Sequence, residues 1–351
     1  MNRQAFNPDM LVVARESRGM TQVQLARKAK FSQGIVSKWE TRVTEPTEES
    51  VHAVAEALGF PPSFFYQPEP YFGLPPTFYR KRSTARKKVL NQLHARMTLV
   101  RLHLIRLLRS VALEAPFELP HLDLDEVGSP EEAARLLRAS WLVRPGPIPD
   151  LVGLIEHAGV VMVPLDLGGE KVDAVGWNPP DVPPLIFFDP AAPPDRVRFT
   201  IAHEIGHLVM HRVPTEDIES EANRFAAEFL LPAKDIRSHL RNLSLERLAK
   251  LKLVWRASMA ALLYRAKDLD QISERQARAY WMRFGKLGWR KVEPGSDQIP
   301  SESPNLLREV IRTHLEDLGY SIPELCRAIN SSPSDLRELY GIGTGPLELV
   351  G

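Results

Sequence analysis

The residues of this chain best suited to chemistry are two histidines four positions apart with a glutamate beside the first, in His203-Glu204-Ile205-Gly206-His207. On a helix, positions four apart share a face, so both imidazoles can serve one metal ion. Glu204 then stands beside the position the metal leaves open, where a general base for water is needed. This is the spacing of a zinc site that carries its own base. The neighbouring Ile201, Ala202, Ile205, Leu208, Val209 and Met210 are apolar, as in a helix buried on most sides, and Gly206 leaves room for another element to approach. The competing reading is a plain core helix. It would have to find a buried partner for each of three histidines and a carboxylate.

A catalytic zinc takes a third protein ligand and keeps one position open. His211 is one candidate, but a straight helix drifts around its axis over two turns, which assigns His211 to the surroundings of the site instead. The next amphipathic stretch, Ile218 to Pro232, offers Glu219, with Asn223 one turn on to support a ligand from behind. Glu221 is the rival third ligand.

The elements that must position these groups come before them. Pro130-Glu131-Glu132 opens a helix that continues to Trp141, and a second is expected from Ile148 to Ala158. Val160 to Leu165, Val172 to Trp177 and Leu185 to Phe188 read as strands separated by proline-rich turns. The site helix is expected to start within Arg196 to Thr200. In this order an edge strand borders the cleft and can pair with an extended peptide.

The N-terminal segment has another character. Apolar residues recur at helical spacing in four short stretches between Pro8 and Phe65. Thr21 caps the second, with Gln24 as capping-box partner; Ser32 caps the third; the fourth begins near Pro46-Thr47 and stops at Gly59. Two short helices joined by a turn form a helix-turn-helix. Ile35, Val36 and Trp39 read as core. A helical protein-interaction module without DNA affinity is the alternative.

From Phe78 to Val111 the chain holds many basic residues and no acidic one, including Arg80, Lys81, Arg82, Arg86, Lys87, Lys88, Arg96, Arg101, Arg106 and Arg109. This stretch either extends a DNA footprint, docks an acidic partner, or is a solvated helix face joining two domains. Beyond the site, Leu243 to Leu269 continues as helices with Leu245, Leu248, Leu251, Val254, Met259, Leu262 and Leu263 as core, in the outline of a second helix-turn-helix. Pro304 to Tyr340 forms two amphipathic helices, for which packing, a homodimer contact and partner docking are all open.

Composition bounds the rest. The chain has 351 residues and one cysteine, Cys326, which excludes a disulfide framework and a thiolate zinc site. The formal net charge is +1, which says nothing against DNA binding because the local field decides that. No run reaches the length of a membrane span and no signal-peptide core follows Met1, so the chain is expected in the cytoplasm, away from membranes.

Two resemblances sharpen this. Thr21-Gln22-x-x-Leu25-Ala26 followed by Ser32-x-x-x-Val36-Ser37-Lys38-Trp39-Glu40 resembles the XRE/Cro repressor family, which implies that Gln33, Ser37 and Lys38 face the major groove while Gln22 and Arg42 are placed for phosphates. Arg198-Phe199-Thr200 before HExxH, then Glu219-x-x-Ala222-Asn223-x-Phe225-Ala226-Ala227-x-x-Leu230-Leu231-Pro232, resembles the ImmA/IrrE metallopeptidases, with Gly288-Trp289-Arg290 and Glu293-Pro294 further along. That likeness implies Zn2+ held by His203, His207 and Glu219, with Glu204 as base, and a substrate of the repressor or antitoxin type cleaved in a stress or mobile-element response. The expected fold is mainly α with α+β: an N-terminal all-α helix-turn-helix domain over 1–68, a basic helical linker over 69–120, a zincin-like α+β metallopeptidase domain over 121–270 and a helical C-terminal region over 271–351. The expected function is a DNA-binding transcriptional regulator with a zinc-dependent endopeptidase domain, its partners an operator duplex and a protein substrate. The alternative is a non-proteolytic regulator whose zincin domain is a sensor or dimerisation module.

Overall fold

A computed structural model describes residues 5–73, 87–167, 173–212, 217–290 and 292–342. The residues from Phe78 to Arg86 of the basic stretch, and Val172 of the expected second strand, lie outside the described residues. The chain divides into two compact units, one of residues 1–113, 179–182 and 307–351, the other of residues 114–178 and 183–306.

The first unit opens with α1 (Pro8–Ser17), α2 (Gln22–Ala29), α3 (Gln33–Glu40) and α4 (Glu48–Leu58). Their starts follow from side-chain chemistry. Thr21 and Gln24 form a reciprocal capping box, while Ser32 and Thr47 accept from Ile35 N–H and Ser50 N–H, satisfying donors that a helix start leaves unpaired. Val36 and Trp39 are buried with Met10, Leu11, Leu25, Val51 and Leu58. Ile35 departs from the sequence reading: it is 40% exposed, because it lies on the outer face of α3 while Val36 and Trp39 take the inner one. The long α5 (Lys87–Leu107) adds Ala95, Leu99 and Leu102 to this same core, so the helix that reads as a connector is a structural part of the bundle.

In the second unit, α6 (Pro130–Ser140) and α7 (Leu151–Glu156) precede a three-stranded sheet of β1 (Val161–Pro164), β2 (Ala174–Trp177) and β3 (Leu185–Phe188). Helix α7 is shorter than expected because Asp150 caps it, accepting from Gly153 N–H, which leaves Ile148 and Pro149 outside. The strand order is β1-β3-β2, with β1 parallel and β2 antiparallel to the central β3. Then come α8 (Pro194–Met210), α9 (Ile218–Leu230), α10 (Leu245–Trp255), α11 (Met259–Asp268) and α12 (Glu274–Lys286). Helix α8 starts earlier than the sequence reading has it, with Pro194 in its first turn, where a missing N–H costs nothing. One continuous core joins α6, the sheet and α8 to α12. Val254, read as core, is 59% exposed on α10.

Three ion clusters fix this unit. Lys252 is fully buried and donates to Asp195 Oδ2 (2.7 Å), Glu293 Oε2 (2.8 Å) and Ser296 Oγ (2.8 Å), while Glu293 also accepts from the N–H groups of Met259 and Ala260 at the start of α11. Arg198 pairs with Glu302 and donates to Ile148 O at 2.7 Å; the other Glu302 oxygen accepts from Leu151 and Val152 N–H. Burial, with Arg256 nearby, pulls the Arg198 guanidinium down to about 10. Arg265 bonds Glu228 and Leu231 O. Together these tie the first turn of α8 to α10, α11 and the loop after α12.

The chain then returns to the first unit. Helix α13 (Leu306–Arg312) runs into a π turn over Thr313–Asp317, followed by α14 (Ile322–Ala328) and α15 (Pro333–Tyr340). Where the sequence reads as two helices there is a further break, since Asn330 takes a left-handed backbone and Pro333 begins a new helix. Arg18 forks onto Asp335 (2.9 Å from Nη2 to Oδ2), Arg96 reaches Glu338 (2.6 Å), Ser63 Oγ donates to Asn330 Oδ1 (2.8 Å), and Tyr340 Oη meets His103 Nδ1 at 2.7 Å. Among the described residues, no helix is long and apolar enough to cross a membrane.

Two outcomes follow from these buried polar groups. Lys252→Met would leave Asp195 and Glu293 buried without their cation, and the unfolding free energy from a urea titration is expected to drop by about 3–5 kcal/mol. Burial pushes the pKa of His103 down to about 4, so the fold holds it neutral. Its folded pKa lies below the unfolded value of about 6.5, so protonation favours the unfolded chain, and stability is lost as pH falls from about 6.5 through about 4. His103→Phe is expected to lower the urea midpoint at pH 7, through the lost Tyr340 partner, and to flatten its decline between pH 7 and pH 5.

Candidate metal centre and nucleic-acid interface

Helix α8 presents His203 and His207 on one face, one turn apart. Helix α9 packs across it at close range because residue 206 is glycine: a Cβ there would lie 3.0 Å from the Phe225 ring. That approach brings Glu219, in the first turn of α9, to the two imidazoles. His203 Nε2 and His207 Nε2 are 3.0 Å apart, His203 Nε2 lies 3.4 Å from Glu219 Oε2, and His207 Nε2 lies 3.5 Å from Glu219 Oε1. Four ligands at about 2.1 Å from a tetrahedral ion stand about 3.4 Å from one another. Two nitrogens and a carboxylate oxygen at these separations fit such an ion, and His203, His207 and Glu219 form a group able to hold a metal.

The groups behind the cluster orient it. His203 Nδ1 meets Asn223 Oδ1 at 3.0 Å, which makes Nδ1 the donor and turns Nε2 towards the cluster. His207 Nδ1 meets His211 Nδ1 at 3.0 Å, and His211 Nε2 lies 3.1 Å from Glu221 Oε2. Helix α8 ends at Met210, and the extended backbone of His211 (φ −114°, ψ 101°) swings its ring away from an i+8 position and behind His207. Burial, then the neighbouring His207, lowers the pKa of His211, while Glu221 opposes the shift. Glu221 therefore stands in a different place from Glu219: it faces His211. The sequence offers Glu221 as a rival ligand and gives no sign of this line of His207, His211 and Glu221. The helix break after Met210 that creates it has no strong signature in the sequence.

Glu204 is buried beside the cluster, and one of its oxygens accepts from Gly176 N–H of β2 at 2.8 Å. Glycine suits this strand position, since a Cβ at 176 would lie 3.0 Å from the same oxygen and crowd it. Arg196 pairs with Asp173, just before β2, so that edge strand is fastened to α8 at two points. Gly176 was absent from the sequence reading, because nothing short-range ties a strand glycine to a glutamate 28 residues on.

The expected DNA-facing residues lie in the first unit. Gln33 and Lys38 are exposed at the start and middle of α3, and Ser37 is half-buried between them. Gln33 Nε2 donates to Gln22 Oε1 (2.8 Å), and Gln22 Nε2 donates to Glu40 Oε2 (2.9 Å). Glu40 is held by the buried Arg15, at 2.6 Å from Nε. The Gln22 side chain is thus engaged in orienting Gln33. Arg42 is exposed and donates to Asp9 Oδ2 at 2.8 Å.

Residues 13–65 match the helix-turn-helix family, and residues 155–267 match the peptidase family described as the IrrE N-terminal-like domain. No curated protein matches the chain. The first match covers α2, α3 and α4 and supports DNA binding; the second covers the sheet, α8 and α9 and supports a metallopeptidase-like domain in this part of the second unit.

Residues that support metal ligands from behind commonly set affinity by a factor of about 10–100. Glu221→Gln and Asn223→Ala are each expected to weaken zinc binding by roughly that factor in competition with a chromophoric chelator, with the unfolding midpoint of the metal-free protein little changed.

Proposed function

We propose that this chain, which joins a helix-turn-helix segment to an IrrE N-terminal-like domain, is a DNA-binding transcriptional regulator and a zinc-dependent endopeptidase that cleaves a repressor or antitoxin-like protein. The observation that carries the reading is the position of Glu204. A purely structural site has no use for a buried carboxylate next to its ligands, and here a backbone N–H of the edge strand holds that carboxylate in place at 2.8 Å.

His203, His207 and Glu219 would hold the ion. Zinc, when bound, polarises a carbonyl and lowers the pKa of water to about 7. Glu204 takes the proton of the attacking water and delivers it to the leaving amine, a shuttle that needs one carboxylate within reach of both. Asn223 and His211 fix the ring orientations through Nδ1, so that both Nε2 lone pairs remain turned inward during the reaction. The β2 edge, bordering the site, suits an extended segment of substrate, which favours a protein substrate over a small molecule. On the other unit, Gln33, Ser37 and Lys38 read base edges, with Gln22 orienting Gln33 and Arg42 near the backbone. A substrate of the repressor class and a stress or mobile-element setting follow from the family likeness.

The test pairs metal content with cleavage. Wild type and Glu204→Gln are each expected to bind one equivalent of zinc, and only wild type to cleave the repressor or antitoxin encoded beside it. Zinc in both with cleavage by neither overturns the enzyme reading and leaves a regulator whose zincin-like domain is a sensor or dimerisation module.

A further inference from the structure

The structure sorts the lysines and arginines of α5 and of the turn after it into two groups. Arg96 is paired with Glu338, Arg101 is fully buried against Asp181 with Pro70 O as a further acceptor, and Arg106 and Arg109 both face Glu69. These four pair with carboxylates of the same unit. Lys87 and Lys88, in the first turn of the same helix, are exposed, and among the described residues neither has an acidic partner within ion-pair distance.

The two lysines also have a fixed place. They line a concavity of about 440 Å³, together with Thr21, Gln22 and Val23 of the α2 start and Gln33 of α3. Helix α5 is docked there by polar contacts as well as by its apolar face: Asn91 Nδ2 donates to Glu16 Oε1 at 2.9 Å, and Gln92 lies over Gly19, where a Cβ would come within 2.9 Å of its amide oxygen. Ala95, Leu99 and Lys-free turns beyond them continue into the bundle core. The start of α5, and with it the two lysines, is therefore placed at the rim of the surface that carries Gln22 and Gln33. Glu16 and Arg15 also line that concavity, but Arg15 is committed to Glu40, and Glu16 to Asn91.

We infer that Lys87 and Lys88 bind the phosphate backbone of the same duplex that α3 enters, so that α5 is a second DNA-contacting element of this unit. The chemistry is that of point charges on flexible stems, suited to phosphates and indifferent to base sequence. The inference rests on the DNA-binding reading of the helix-turn-helix. It also goes beyond it, since the footprint then extends past α2 and α3 to a helix outside residues 13–65.

The experiment measures binding of the full chain to a mixed-sequence 30-base-pair duplex (length of about 30, about three turns) by fluorescence anisotropy across a salt series. Lys87→Gln/Lys88→Gln is compared with wild type, with Lys87→Arg/Lys88→Arg, and with Lys234→Gln/Lys286→Gln, which removes the same charge from exposed positions of the other unit. Each phosphate contact contributes about 0.9 to the slope of log K against log salt, so the glutamine pair is expected to flatten it by about 1.8. The arginine pair and the Lys234/Lys286 pair should keep the wild-type slope. If wild type binds and the Lys87/Lys88 glutamine pair keeps its slope, or flattens no more than the Lys234/Lys286 pair, the inference fails while the DNA-binding reading stands. If wild type shows no salt-dependent binding to any duplex, that reading fails and takes the inference with it.

Discussion

Two imidazole nitrogens and a carboxylate oxygen aimed at one point are an expensive arrangement for a protein interior. The two imidazoles are largely buried and the Glu219 carboxylate is part-exposed, so the fold must offset the lost hydration of the rings and hold the three groups together. Much of the second unit can be read as that enforcement. Helix α8 supplies the two imidazoles at fixed spacing, but their positions mean nothing until Glu219 arrives, and Glu219 arrives only because α9 lies close enough across Gly206 to put Phe225 against the bare backbone.

The same economy governs the groups around the cluster. Asn223 on His203, and His211 with Glu221 behind His207, turn each ring so that a lone pair faces inward. Glu204 is secured from a third direction, by the N–H of a strand that Arg196 and Asp173 hold against α8. The first turn of α8 is in turn anchored by Asp195 on buried Lys252 and by Arg198 on Glu302. Charged groups with no role in chemistry thus set the pose of the helix on which the chemistry depends.

In the first unit, charge does two different jobs on one helix. The arginines from Arg96 onward satisfy carboxylates inside the unit, whereas Lys87 and Lys88 keep their charge at its surface. A composition of basic residues with no acidic one does not distinguish these uses; only the partners do. The last helices, α13 to α15, belong to this unit through Arg18 with Asp335 and His103 with Tyr340, although nearly 200 residues of the other unit separate them in sequence from α5.

What the sequence by itself determined is what local chemistry controls. The capping residues Thr21, Ser32 and Thr47, the i,i+4 histidines, the glutamate beside them and the amphipathic stretch bearing Glu219 and Asn223 are all legible because the signal and its effect lie within a turn or two of each other. Only the tertiary structure decided the rest. That Glu221 faces His211, that Gly176 holds Glu204, that Ile35 and Val254 are exposed, and that α5 and the C-terminal helices complete the N-terminal bundle all depend on which distant surface each residue meets. Helical periodicity says which side of a helix is apolar, and it cannot say what lies opposite, because that is fixed by the sum of many weak contacts between segments far apart in the chain.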